Sequence, residues 1–155
     1  MKIIVSLATL FTLCISSVAL ANPVSSEKQA NTAVQFRQAV LQLVRSNMGP
    51  MGAMAKGEIP FDAEVMIKNS QRIEQLGLMM EDYFTPDTRA FDVETGALDK
   101  VWENQADFNQ KANDMVTAAI NVREVATAGA SDDYRKAIGA LGGTCKACHD
   151  DYKKD

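Results

Sequence analysis

Apolar residues recur at spacings of three and four along most of this chain and almost never alternate, which predicts helices and gives strands little support. The stripe Ala33, Phe36, Val40, Leu41, Val44 and Met48 predicts a first helix from about Ser25 to Asn47. Ser25-Ser26-Glu27-Lys28 offers it an N-cap and an early acid. A second helix runs from about Asp62, a suitable cap, to Met80, with Met66, Ile73, Leu76 and Met80 facing inward. The third runs from about Leu98 to Ala128, where Val101, Trp102, Phe108, Ala112, Met115, Ala119 and Val122 keep a seven-residue rhythm. The fourth starts at the cap Ser131 and carries Tyr134, Ile138, Leu141, Cys145, Cys148 and Tyr152. Pro23, Pro50, Pro60 and Pro86 all fall between these segments, where helices tolerate proline. Four amphipathic helices with shortish connections predict an all-α, antiparallel, up-down-up-down four-helix bundle. The longest connection, Tyr83 to Ala97, would carry Phe84 and Phe91 as lids.

The first residues follow a different pattern. Lys2 precedes an apolar run from Ile3 to Leu20 that ends in Ala19-Leu20-Ala21, the small-x-small pattern of a cleavage site. The run is barely long enough to span a bilayer and has no basic flank after it, so cleavage after Ala21 is expected rather than an anchor. Residues 1–21 thus read as a signal peptide and 22–155 as one domain, long enough to bury a real core. Export places that domain in a bacterial periplasm. The formal charge is −4, and −5 without Lys2, with acids and lysines interspersed. Such a surface has no basic patch with which to grip nucleic acid or an anionic membrane.

Chemistry concentrates in Cys145-Lys146-Ala147-Cys148-His149. Two thiols at i and i+3 on a helix can each form a thioether to one vinyl group of a single haem, and the next residue then supplies a nitrogen to the iron. Competing readings lack residues. His149 is the only histidine, so no Cys₂His₂ or His₃ zinc site can be built. Cys14 falls in the segment expected to be removed, and a thioredoxin-like pair would need a βαβ context. The expected cofactor is one covalent haem c, held by Cys145 and Cys148 with His149 as axial ligand.

The opposite face of the iron follows from bundle geometry. In an up-down-up-down bundle the end of the fourth helix lies level with the first half of the first helix, near Phe36 to Val44. Methionine is a good sixth ligand, but Met48 lies a heptad beyond Leu41, roughly 10 Å further along. Met51 and Met54 are further still, and Met115 reads as core filler. Leu41 is therefore expected on the distal side, with Phe36, Val40 and Phe84 around it, leaving five-coordinate, high-spin iron.

At this point the chain resembles the cytochromes c′, the high-spin class II cytochromes c. The resemblance rests on Phe36-Arg37-Gln38, Met51…Lys56-Gly57, Val101-Trp102 with Phe108, and Cys145-Lys146-Ala147-Cys148-His149-Asp150-Asp151-Tyr152. It implies Leu41 at the distal position, Arg37 and Gln38 near the haem propionates, and Lys153 as the basic residue after the motif. It also implies a homodimer through the first two helices. Met79-Met80-Glu81 stands where the family has an aromatic residue.

An apolar distal face suits NO and CO, which need no hydrogen-bond donor, and disfavours small anions, whose charge would be desolvated without a partner. Diatomic gas binding, mainly of NO for sensing, buffering or detoxification, is the expected function. Lys153, four residues after His149, would lie on the same helical side and could meet NO on the proximal face. The alternative is a periplasmic electron carrier with redox partner proteins and low-spin, six-coordinate haem. Met48, Met51 and Met54 also form a thioether spacing that Cu(I) could accept, though core packing explains them better. No distal base or Ser-His-Asp set supports an enzyme.

Overall fold

The computed structural model describes residues 22–154, so the expected signal peptide, its cleavage after Ala21 and Cys14 lie outside the described residues. In chain order the elements are β1 (Asn22–Pro23), α1 (Glu27–Lys56), α2 (Ala63–Leu78), α3 (Met80–Phe84), β2 (Pro86–Asp87), α4 (Lys100–Glu103), α5 (Gln105–Thr127) and α6 (Tyr134–Tyr152). The long helices α1, α2, α5 and α6 form the four-helix bundle, each packed on the next and α6 closing on α1. Ser26 caps α1 by accepting from the Gln29 amide, and Asp62 caps α2 by accepting from Val65.

Helix α1 is longer than its pattern predicts and runs through Pro50. Proline inside a helix costs about 3 kcal/mol. Met51 and Met54, beyond it, are fully buried, and burying each is worth about 1.5–3 kcal/mol. The residue before Pro50 is Gly49, with no Cβ to meet the proline ring. Burial therefore outweighs the break, and the helix ends instead at Gly57, whose φ of 78° lies in the left-handed region that glycine tolerates.

Two other helices are divided rather than extended. The second breaks at Met79 into α2 and α3, and the third at Asn104 into α4 and α5. The fourth begins at Tyr134, with Asp133 rather than Ser131 in the cap position. A two-residue parallel pairing of β1 with β2 joins the start of the described chain to the 85–88 segment, which no alternation predicts. Phe84 is not a lid: it is buried in α3 and stacks at 4.7 Å on Phe108. Phe91 is half-buried in the connection.

The core joins the inward stripes of all four long helices, from Val40, Val44 and Met51 through Met66 and Ile73 to Met115, Ala119, Ile138 and Leu141. Gly77 permits the close approach of α2 and α5: a Cβ there would lie 2.6 Å from Val116 Cγ2. The carboxylate of Glu74 on α2 also pairs with Arg123 on α5.

Candidate functional site

The last turns of α6 hold the two thiols and the imidazole on adjoining faces. Cys145 and Cys148 are half-buried and unpaired, while His149 is exposed. Burial pushes the Cys145 thiol up. Burial also raises Cys148, to about 11, against the opposing pull of the Lys111 ammonium. Reactive and redox thiols have lowered values, so this pair stays protonated at neutral pH. No cluster of three or more His, Cys, Asp or Glu side chains forms among the described residues. Two neutral thiols one turn apart, followed by an exposed imidazole, fit thioether attachment of a haem and its proximal ligand.

What faces His149 follows from the register of α1 against α6. The Tyr134 hydroxyl donates to Met54 O at 3.4 Å and Arg135 Nε to Ala55 O at 3.1 Å, so the two helices run antiparallel and meet closely at that end. Further along, the space above Gly142 is closed by Met48, whose Cε would lie 3.7 Å from a Cβ there. One heptad on in the same direction, about 10 Å, brings α1 to Leu41 and α6 to His149, each on the face that carried the Met48–Gly142 contact. Leu41 is 40% exposed there, although its neighbours Val40 and Val44 are buried. The seam is therefore closed at Met48, and past it Leu41 on α1 and His149 on α6 are both exposed.

The structure brings together some of the residues expected around this site and not others. Gln38, one turn before Leu41, lies exposed on the same flank. Phe36 does not belong with Leu41. It lies about 140° round the helix, on the α3 side, 54% exposed and 5.8 Å from the Tyr83 ring. Phe84 likewise belongs to a buried aromatic row, Phe84–Phe108–Tyr152, beneath the site rather than on the Leu41 face.

Arg37, expected near the propionates, is bound within the chain. It is only 2% exposed, and its guanidinium donates to Tyr83 O at 3.0 Å, to Thr88 Oγ1 at 3.2 Å and to Pro86 O. Its charge lies 4.8 Å from the Trp102 ring centre. Burial lowers its pKa to about 10, partly restored by Asp87. Arg37 thus fastens the 83–88 segment to α1, because a guanidinium taken out of water is held by the carbonyls it can reach.

Lys153 is exposed, but α6 ends at Tyr152. Lys153 is an extended C-cap bridged to Ala97, its N–H still donating to His149 O at 3.2 Å. The third expectation for methionine, a Cu(I) site, meets buried core: Met51 and Met54 are 0% and 1% exposed.

Sequence reading missed the group that secures this end of α6. The Tyr152 hydroxyl donates to Asp107 Oδ2 at 2.6 Å, and the Asp151 carboxylate accepts from Lys111 and Lys100, each at 2.9 Å. Burial and the Asp107 carboxylate both push the Tyr152 hydroxyl up, keeping it a donor. The only signal in the sequence was a tyrosine in the apolar stripe, which normally finds a partner for its hydroxyl when buried.

Comparison with known proteins bears on the fold and the haem motif. A family model described as Cytochrome C' matches residues 32–153. A cytochrome c' of Alcaligenes xylosoxydans xylosoxydans is 34% identical over 122 residues, covering 79% of this chain and 93% of its own. The solved cytochrome c prime from Shewanella frigidimarina is similar with a TM-score of 0.74 and 32% identity, over 84% of this chain and 100% of that one. A nitric oxide complex of a mutant cytochrome c prime from Alcaligenes xylosoxidans gives 0.72 and 32%, over 81% and 96%.

Proposed function

The chain belongs to the cytochrome c′ family, and from that premise we propose that it is a periplasmic gas-binding haem protein with five-coordinate iron, taking NO and CO. The family carries covalently attached haem c, and this chain has the cysteines for it. What supports the finer reading is the register of α1 on α6: continued one heptad past the Met48–Gly142 contact, it leads to the exposed Leu41 and the exposed His149. Cys145 and Cys148 would hold the haem by two thioethers and His149 would supply the axial nitrogen. The bound haem supplies an iron atom able to take a diatomic ligand.

The remaining work falls to this chain's own side chains. Leu41 offers no hydrogen bond, so a neutral diatomic enters without losing one, while an anion would be stripped of water and left unpaired. Trp102, Arg37 and the aromatic row under Tyr152 keep water from the core below. The role is binding rather than turnover: the polar side chains flanking Leu41, Gln38 and Arg45, offer neither a carboxylate nor an imidazole as general base. Signal-peptide cleavage after Ala21 would deliver the chain to the compartment where the haem is attached.

We also propose a homodimer through α1 and α2, supported by the apolar groove between them, where Leu43 and Ile59 are 52% and 41% exposed. Sedimentation at micromolar concentration reading a monomer would remove it. For the gas-binding reading the test is absorption spectroscopy of the purified protein, with and without CO and NO. A high-spin ferric spectrum and a ferrous form that takes up both gases are expected. A low-spin ferric spectrum with a sulfur–iron charge-transfer band would assign the chain to electron transfer instead.

A further inference from the structure

Building on the gas-binding reading, we propose that the hydrogen bond from Tyr152 to Asp107 is a positioning device that sets the gap between His149 and Leu41, and so how readily a diatomic ligand enters. His149 stands on the last full turn of α6, and terminal turns open most easily unless something holds them. Helix α1 does not hold this turn, since the Met48–Gly142 contact lies a heptad away. The anchors come from the other side. Leu98 N donates to Tyr152 O at 2.9 Å and Lys154 N to Gly96 O at 2.8 Å. Lys111 and Lys100 reach the exposed Asp151 carboxylate.

Among these, Tyr152 ties a buried side chain, three residues from His149, to the body of α5. The 2.6 Å separation is that of a hydroxyl on a carboxylate, the stronger class of hydrogen bond. Phe108 meets the tyrosine ring edge-on at 5.3 Å, and the Lys100 ammonium lies 5.3 Å from its centre, so the ring is held where the hydroxyl reaches Asp107. Cys145, Cys148 and His149 are all on α6, so whatever they hold moves with that helix as one body. A shift of α6 on α5 therefore leaves the relation of His149 to the two cysteines intact. It changes the distance to Leu41, which is on α1.

The test uses the full-length holoprotein. Tyr152→Phe keeps the ring on Phe108 and removes only the hydroxyl. Association of CO with the ferrous protein is expected to be about tenfold faster, equivalent to about 1.4 kcal/mol off the barrier, with a shifted C–O stretching frequency. Asp107→Asn, which keeps an acceptor oxygen, should fall between this variant and wild type. Asp62→Ala removes a helix cap at a distance and should lower Tm while leaving both CO readouts unchanged. An unmoved rate and stretch in Tyr152→Phe would overturn the inference, as would the same change in Asp62→Ala, since general loosening would then explain it. A low-spin ferric wild type would overturn the gas-binding reading itself, and this inference with it. A high-spin wild type with an unmoved Tyr152→Phe would overturn this inference alone.

Discussion

Two seams of the same bundle are built in opposite ways. Between α2 and α5, Gly77 removes a side chain so that Val116 and Met115 can fill the space, and an ion pair from Glu74 to Arg123 braces the edge. Between α1 and α6 the packing is close at Met48 and Gly142, and past it Leu41 stands 40% exposed on α1 and His149 exposed on α6. The closed seam is held by shape complementarity within the chain. The open one leaves apolar surface uncovered beside the haem motif, which is favourable when a flat, largely apolar group covers it. Stability and binding are therefore drawn from different helix pairs, and the comparison can be broken at either.

The largest effect is expected from the open seam's attachments. Cys145→Ala with Cys148→Ala should abolish covalent haem entirely, read as complete extraction of haem into acidified organic solvent. Next comes Leu41→Ala, which should speed CO association about a hundredfold, or about 2.7 kcal/mol off the barrier. Its stability loss should stay below about 1 kcal/mol, because the side chain is partly exposed. A large fall in Tm with unchanged CO kinetics would place Leu41 in the core and close the comparison.

Gly77→Ala probes the closed seam. The new Cβ must displace a short, stiff valine, so overpacking of about 1–3 kcal/mol should outweigh the gain in helix propensity of about 1 kcal/mol. Urea unfolding should show a lower midpoint, with ferric and CO spectra like those of wild type. Altered spectra would mean that the two seams are coupled.

The smallest effect concerns the support of α1 beside the open seam. The Asp87 carboxyl is held below its ordinary value chiefly by hydrogen bonds from Arg89. A lowered carboxyl pKa contributes stability above the unfolded value, and this is lost as pH falls through the folded one. Asp87→Asn should therefore cost less than about 1 kcal/mol near neutrality, and the difference from wild type should vanish in acid. A difference that grows as pH falls would contradict this assignment.

How much was legible before folding differs along the chain. The apolar stripes marked all four bundle helices because a period near 3.6 is a local property of the sequence. The haem motif was legible because its chemistry lies within one turn of one helix. The passage of α1 through Pro50 was hidden, since it depends on burial of Met51 and Met54 by distant helices. The anchoring of the 83–88 segment by Arg37 was hidden for the same reason. Its sequence position adjoins the distal residues, but its hydrogen-bond partners Tyr83, Pro86 and Thr88 come from another segment.

By itself, then, the order of residues determined the helical class, the attachment motif and the absence of a second histidine, all of them properties of spacing or composition. Only the tertiary structure decided that Met48 closes over Gly142, that Phe36 meets Tyr83 and Phe84 meets Phe108, and that Tyr152 finds Asp107. These are relations between helices far apart in the chain, set by which side chains fill the space between them, and no local pattern encodes that.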